Sequence, residues 1–153
     1  MKNFWLSKTL ALLAIAISFG ASAGPTDTAN DEASIRHVLM ATFDKPEARL
    51  VVDPVVVVGG HAVAGWSQGE RGGRALLFRH GGSWQVTLCA GDGLKEASLL
   101  REAGIAQADA DALAKGLAAA EARLPAAQRA RFSTFDGVVR MDANGQHPPA
   151  HTH

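Results

Sequence analysis

Three histidines crowd the end of the chain. His147, His151 and His153 stand in the last seven residues of MDANGQHPPAHTH (141–153), and they are half of the six histidines in the sequence. Imidazole suits copper, nickel and zinc, and among the divalent first-row ions copper(II) is held most tightly. His151 and His153 form a His-x-His pair, whose side chains point the same way when the chain is extended, so both rings can reach one ion. His147 is harder to recruit. In polyproline II geometry, at ~3.1 Å per residue, it stands ~12 Å from His151, whereas ligands sit ~2 Å from their metal. The tail must turn at Ala150 for His147 to join, or His147 serves a second ion or a partner. The other reading of the stretch is a terminus that happens to be rich in histidine.

Sulfur supplies the remaining candidates. Met141 opens the tail, and Cys89 is the single cysteine. Thioether and thiolate sulfur both suit copper(I). Against that, a free cysteine is among the most buried residue types, and Cys89 reads first as a small core residue beneath the C-terminal helices. Strand alternation places it on the face opposite Trp84. His61 and His80 flank glycine turns and read as exposed, and His37 falls off the apolar stripe of its helix. No Gly-x-Ser-x-Gly, His-Glu-x-x-His or phosphate-binding glycine loop is present. The expectation is a protein that is not an enzyme.

The elements that must position these residues are legible from periodicity. Four runs rich in β-branched and aromatic residues, 49–58, 61–67, 74–80 and 84–90, are separated by Gly59-Gly60, by the loop 68–73, and by Gly81-Gly82-Ser83. Connections this short allow only antiparallel neighbours. Pro54 cannot donate to a ladder, so the first strand belongs at an edge or carries a bulge at Asp53-Pro54. One sheet face reads as well packed, the other as mixed. Asn30 reads as the N-cap of a helix over 31–44 with Ile35, Val38 and Leu39 on its apolar stripe. After the strands, helices are expected over 94–103, 107–124 and 125–131, with Gly104 closing the first of them. A short strand over 137–141 returns to the sheet edge. The predicted fold is α+β: an N-terminal helix, a four-stranded antiparallel meander, two or three C-terminal helices and a disordered tail.

Lys2, Lys8, the apolar run 9–20 and Ala21-Ser22-Ala23 read as a secretory signal peptide, 1–23, cleaved after Ala23. The domain then spans 24–141 and the tail 142–153. Cleavage removes two of the 15 lysines and arginines, leaving 13 against 15 acidic residues. That balance gives no electrostatic case for nucleic acid. The polar positions are mixed in sign rather than sorted into a basic face, so a membrane-surface role has no support either. The expected location is the periplasm, with no span in the mature chain.

The segments ATFDKPEARL (41–50), GWSQGERGGRALL (65–77), LCAGD (88–92) and FSTFDG (132–137) resemble the copper uptake system-associated protein family, small exported bacterial proteins. The resemblance covers nearly the whole mature chain. It implies copper handling in the company of a TonB-dependent copper receptor or a periplasmic copper chaperone. It brings no ligand set, so the ligands named here rest on side-chain chemistry. Two further readings stand beside it: a protein-interaction module without its own metal site, and a small-ligand carrier. The carrier would use a cavity between the sheet and the C-terminal helices, near Gln85, Thr87, Cys89 and Asp92, and Leu113 and Leu117 filling that space would exclude it.

Overall fold

The computed structural model describes residues 25–142. The expected α+β class holds. Helix α1 (Pro25–Phe43) is followed by strands β1 (Leu50–Val58), β2 (His61–Gln68), β3 (Arg71–His80) and β4 (Ser83–Ala90). A 3-10 turn (Asp92–Lys95) leads to helices α2 (Ala97–Glu102), α3 (Gln107–Glu121) and α4 (Ala126–Phe132), and strand β5 (Val138–Arg140) closes the order. The sheet has five strands in sequence order, not four. The fifth is the short return strand, antiparallel to β4 through Leu88–Arg140, Cys89–Val139 and Ala90–Val138.

Helix α1 begins six residues before the expected start. Pro25 suits a first turn because its missing N–H would have no helical acceptor there, and nothing between it and Asn30 breaks the helix. Asn30 is therefore an interior residue whose carbonyl accepts the Ser34 hydroxyl at 2.9 Å. The third helix ends three residues early: the Leu124 N–H bonds the Glu121 carbonyl at 3.0 Å in a tightened last turn ahead of Pro125. The helix expected over 94–103 is broken at Glu96, which is extended (φ −94°, ψ 123°), and Leu94 tucks into the core before α2 starts. Gly104 does close α2. Its φ is +99°, the Ile105 N–H returns to the Leu100 carbonyl at 3.2 Å, and the Gly104 N–H returns to Arg101 at 2.9 Å.

The connection between β2 and β3 is tighter than the glycine content suggests. Gln68 pairs with Arg71, so the turn is Gly69-Glu70 alone, and Gly72 and Gly73 lie within the strand. They are glycine for want of room. A Cβ on Gly72 would stand 2.5 Å from the Trp66 carbonyl oxygen, and one on Gly73 2.9 Å from the Trp66 ring.

Two bulges set which residues face which way. In β1, Val52 pairs Trp66 and Val55 pairs Ala64, so Asp53 and Pro54 oppose Gly65 alone. This is the bulge expected at Pro54, on an edge strand. In β4, Leu76 pairs Leu88 but Leu77 pairs Val86, leaving Thr87 as an extra residue. The second bulge reverses the alternation beyond Thr87. Cys89 therefore joins Trp84 and Val86 on one face, and Leu88 moves to the other with Leu76. The expectation that Cys89 opposes Trp84, beneath the C-terminal helices, is corrected.

Both faces are packed, where one was expected to be mixed. Helix α1 covers the first with Ile35 and Leu39, against Leu50, Val52, Ala62, Ala64, Leu77, Trp84 and Val86. It is pinned by a polar clasp: Arg79 pairs with Asp31, its guanidinium lies 4.6 Å over the Trp84 ring, and the Trp84 indole N–H donates to Asp31 at 3.2 Å. Helices α2 and α3 cover the second face with Leu100, Ala110, Leu113 and Leu117 against Val63, Leu76 and Leu88. Leu113 and Leu117 are 0% exposed, and burying each is worth about 1.5–3 kcal/mol. They fill the space in which the carrier reading placed its cavity.

Candidate functional site

A cavity does exist, on the opposite face. About 220 Å³ of space lies between the C-terminal half of α1 and the sheet, lined by Leu39, Phe43, Leu50, Trp66, Cys89, Phe135, Val139 and Met141, with Gln68 at the wall. The lining is almost wholly apolar. Gln68 does not supply a free donor, because its amide donates to the Phe43 carbonyl at 2.9 Å and the Ala48 carbonyl at 2.7 Å. Those bonds fasten the loop after α1 to the end of β2. The Trp66 and Phe135 rings meet edge to face at 5.8 Å.

Cys89 and Met141, the two sulfur candidates, line this one cavity. The β4 bulge aims Cys89 into it, and the return strand delivers Met141, whose N–H donates to the Thr87 carbonyl at 2.9 Å. Burial pushes the Cys89 thiol up from 9.0 to about 12. At neutral pH it is a neutral thiol, which is the wrong form for a nucleophile. His147, His151 and His153 lie outside the described residues. Among the described residues no group of three or more histidines, cysteines or acids is placed to hold a metal ion, and no helix is long and apolar enough to cross a membrane.

A second arrangement was not foreseen. Arg74, 1% exposed, donates from Nε to Glu121 Oε1 at 2.6 Å and from Nη2 to Glu121 Oε2 at 2.8 Å. A third donation reaches Asp92 at 3.2 Å, and the guanidinium lies 5.3 Å from the Phe132 ring centre. Asp92 also accepts the Ser133 hydroxyl at 2.9 Å. Its carboxyl is raised by desolvation, but the Ser133 hydroxyl, Lys95 and Arg74 outweigh that and hold it below the usual carboxylate value. The sequence does carry a signal for this network. Glu121 continues the spacing of Ala110, Leu113 and Leu117 along the buried stripe of α3, and an acid there requires a buried cation.

The other histidines separate. His37 and His80 are exposed, as expected. His61 is half-buried. Phe78 holds its ring edge to face at 4.8 Å, and its Nδ1 is buried with no hydrogen-bond partner. No family model, curated protein or solved structure matches the chain.

Proposed function

We propose that the chain is a non-enzymatic, exported accessory protein of copper uptake or homeostasis. In this reading His147, His151 and His153 capture copper, and the folded domain docks on a copper receptor or chaperone in the periplasm. The observation that carries it is that Cys89 and Met141 line one cavity, close to where the described chain reaches Asp142 and the tail begins. Soft sulfur favours copper(I) and imidazole favours copper(II), and one sulfur donor, Met141, stands six residues before His147, the first of the tail imidazoles. A copper(I) ion reaching Cys89 would displace the thiol proton, because only the thiolate ligates.

Copper(II) titration of protein purified without an affinity tag tests the reading. Truncation before His147 is expected to lose the tightest site, and equal binding by the truncated protein would remove the tail from the mechanism. The apolar cavity also favours a second reading, a carrier of a small apolar ligand. Native mass spectrometry separates the two: one predicts a copper adduct, the other a retained organic molecule.

A further inference from the structure

We propose that the cavity beneath the C-terminal half of α1 binds one small, uncharged aromatic molecule of one or two rings. The proposal deepens the carrier reading and rests on it, and it does not depend on copper. Size sets the first limit. An apolar cavity of about 150 Å³ accepts benzene, so about 220 Å³ leaves room for a second ring. Charge sets the next. Among the described residues no charged side chain lines the space, and burial keeps the Cys89 thiol neutral. A carboxylate or ammonium on the ligand would lose its hydration with nothing there to pair it.

The one amide in the wall narrows the chemistry further. Gln68 Nε2 carries two hydrogens, and both are spent on the Phe43 and Ala48 carbonyls. What Gln68 retains for a ligand is its oxygen, an acceptor, so the polar group it can serve is a single N–H or O–H. The walls select a ring. Leu39, Leu50 and Cys89 are buried and form the floor, while Phe43, Trp66 and Phe135 are half-buried and form the mouth. Aromatic side chains receive a ligand ring offset or edge to face, and the Met141 thioether adds a favourable contact to a ring edge. The mouth is held open rather than free to fold inward. Trp66 and Phe135 brace each other edge to face at 5.8 Å. Behind them runs β3, where a Cβ on Gly73 would stand 2.9 Å from the Trp66 ring and 3.0 Å from Phe135 Cβ. The chain's own end is a poor occupant, since ANGQHPPAHTH (143–153) contains no leucine, isoleucine, valine, methionine, phenylalanine or tryptophan.

The test titrates the full chain with indole, which has two fused rings and one N–H, and with octanoate as the charged, non-aromatic comparison, followed by calorimetry. One equivalent of indole is expected to bind with Kd below about 1 mM and a negative heat-capacity change, and octanoate is not expected to bind. Val139→Phe fills the cavity from β5 and Cys89→Leu fills it from β4. Each should weaken indole by more than about 10-fold, with circular dichroism confirming the fold, and if one variant does not fold the other decides. Indole binding that survives the filled cavity overturns the site. Octanoate binding as tightly as indole, or in its place, overturns the ligand class and leaves the carrier reading standing. If neither binds, both the proposal and the carrier reading fall, and the copper reading remains. Indole that binds only after the chain is cut behind Asp142 gives the cavity to the tail and overturns the proposal.

Discussion

The two faces of the sheet solve the same packing problem differently. On one, α2 and α3 press Leu100, Leu113 and Leu117 into Val63, Leu76 and Leu88, and the charged pair Arg74–Glu121 lies at the end of the layer near Phe132. On the other, a single helix spans the sheet, and its last turns leave about 220 Å³ open beside Cys89 and Met141. The filled face buries one matched, bidentate charged pair. The hollow face lines its space almost wholly with apolar side chains, and its polar clasp, Arg79 with Asp31, takes no part in that lining. Room for a ligand lies on the second face.

The sharpest way to break that contrast is Glu121→Ala. Without Glu121 the buried Arg74 keeps only its single contact to the largely exposed Asp92, and breaking a buried pair costs about 3–5 kcal/mol. Chemical denaturation should register this loss, and the pair Arg74→Met with Glu121→Leu should recover most of it. A recovery no better than the single variant would mean that the charges themselves, rather than the filled volume, hold this face.

Cys89 tests the hollow face through pH. Its folded pKa lies above the value in the unfolded chain, so the stabilisation is fully present below about pH 9 and is lost as pH rises toward about 12. Wild type should lose stability relative to Cys89→Ala by about 1.4 kcal/mol for each pH unit in that window. Parallel curves for the two proteins would place the thiol in contact with water. The smallest effect belongs to Asp92, which is largely exposed. Its carboxyl is held low, so its contribution is present at neutral pH and disappears as acid protonates it. Asp92→Asn should cost less than about 1 kcal/mol at pH 7 and converge on wild type in acid, as read by thermal melts across pH.

Much of this architecture was legible in the residues. Runs such as Val55 to Val58, punctuated by glycine, have one reading, and the helix stop at Gly104 follows from its left-handed backbone. The Thr87 bulge was not legible, because a skipped partner depends on the neighbouring strand rather than on β4 itself. It alone moved Cys89 from one face to the other. Gly72 and Gly73 misled for the opposite reason: glycine marks turns, but it also marks places where no side chain fits, and only the approach of Trp66 and Phe135 tells these apart. At the candidate sites, sulfur donors could be named from composition, yet that Cys89 and Met141 meet depended on the bulge. Away from those sites, the approach of His61 Nδ1 to Asp109 Oδ2 at 3.8 Å was invisible, since nothing local links two residues so distant along the chain. His147, His151 and His153 lie outside the described residues.

The outer rim of β1 has one last consequence. Pro54 has no N–H to offer there, the Val52 carbonyl accepts the Arg36 guanidinium at 3.3 Å, and the Asp53 carbonyl accepts the Gln128 amide at 3.4 Å. A neighbouring chain therefore meets no continuous row of donors and acceptors on which to zip itself, and the sheet is guarded on that side against runaway growth into fibrils.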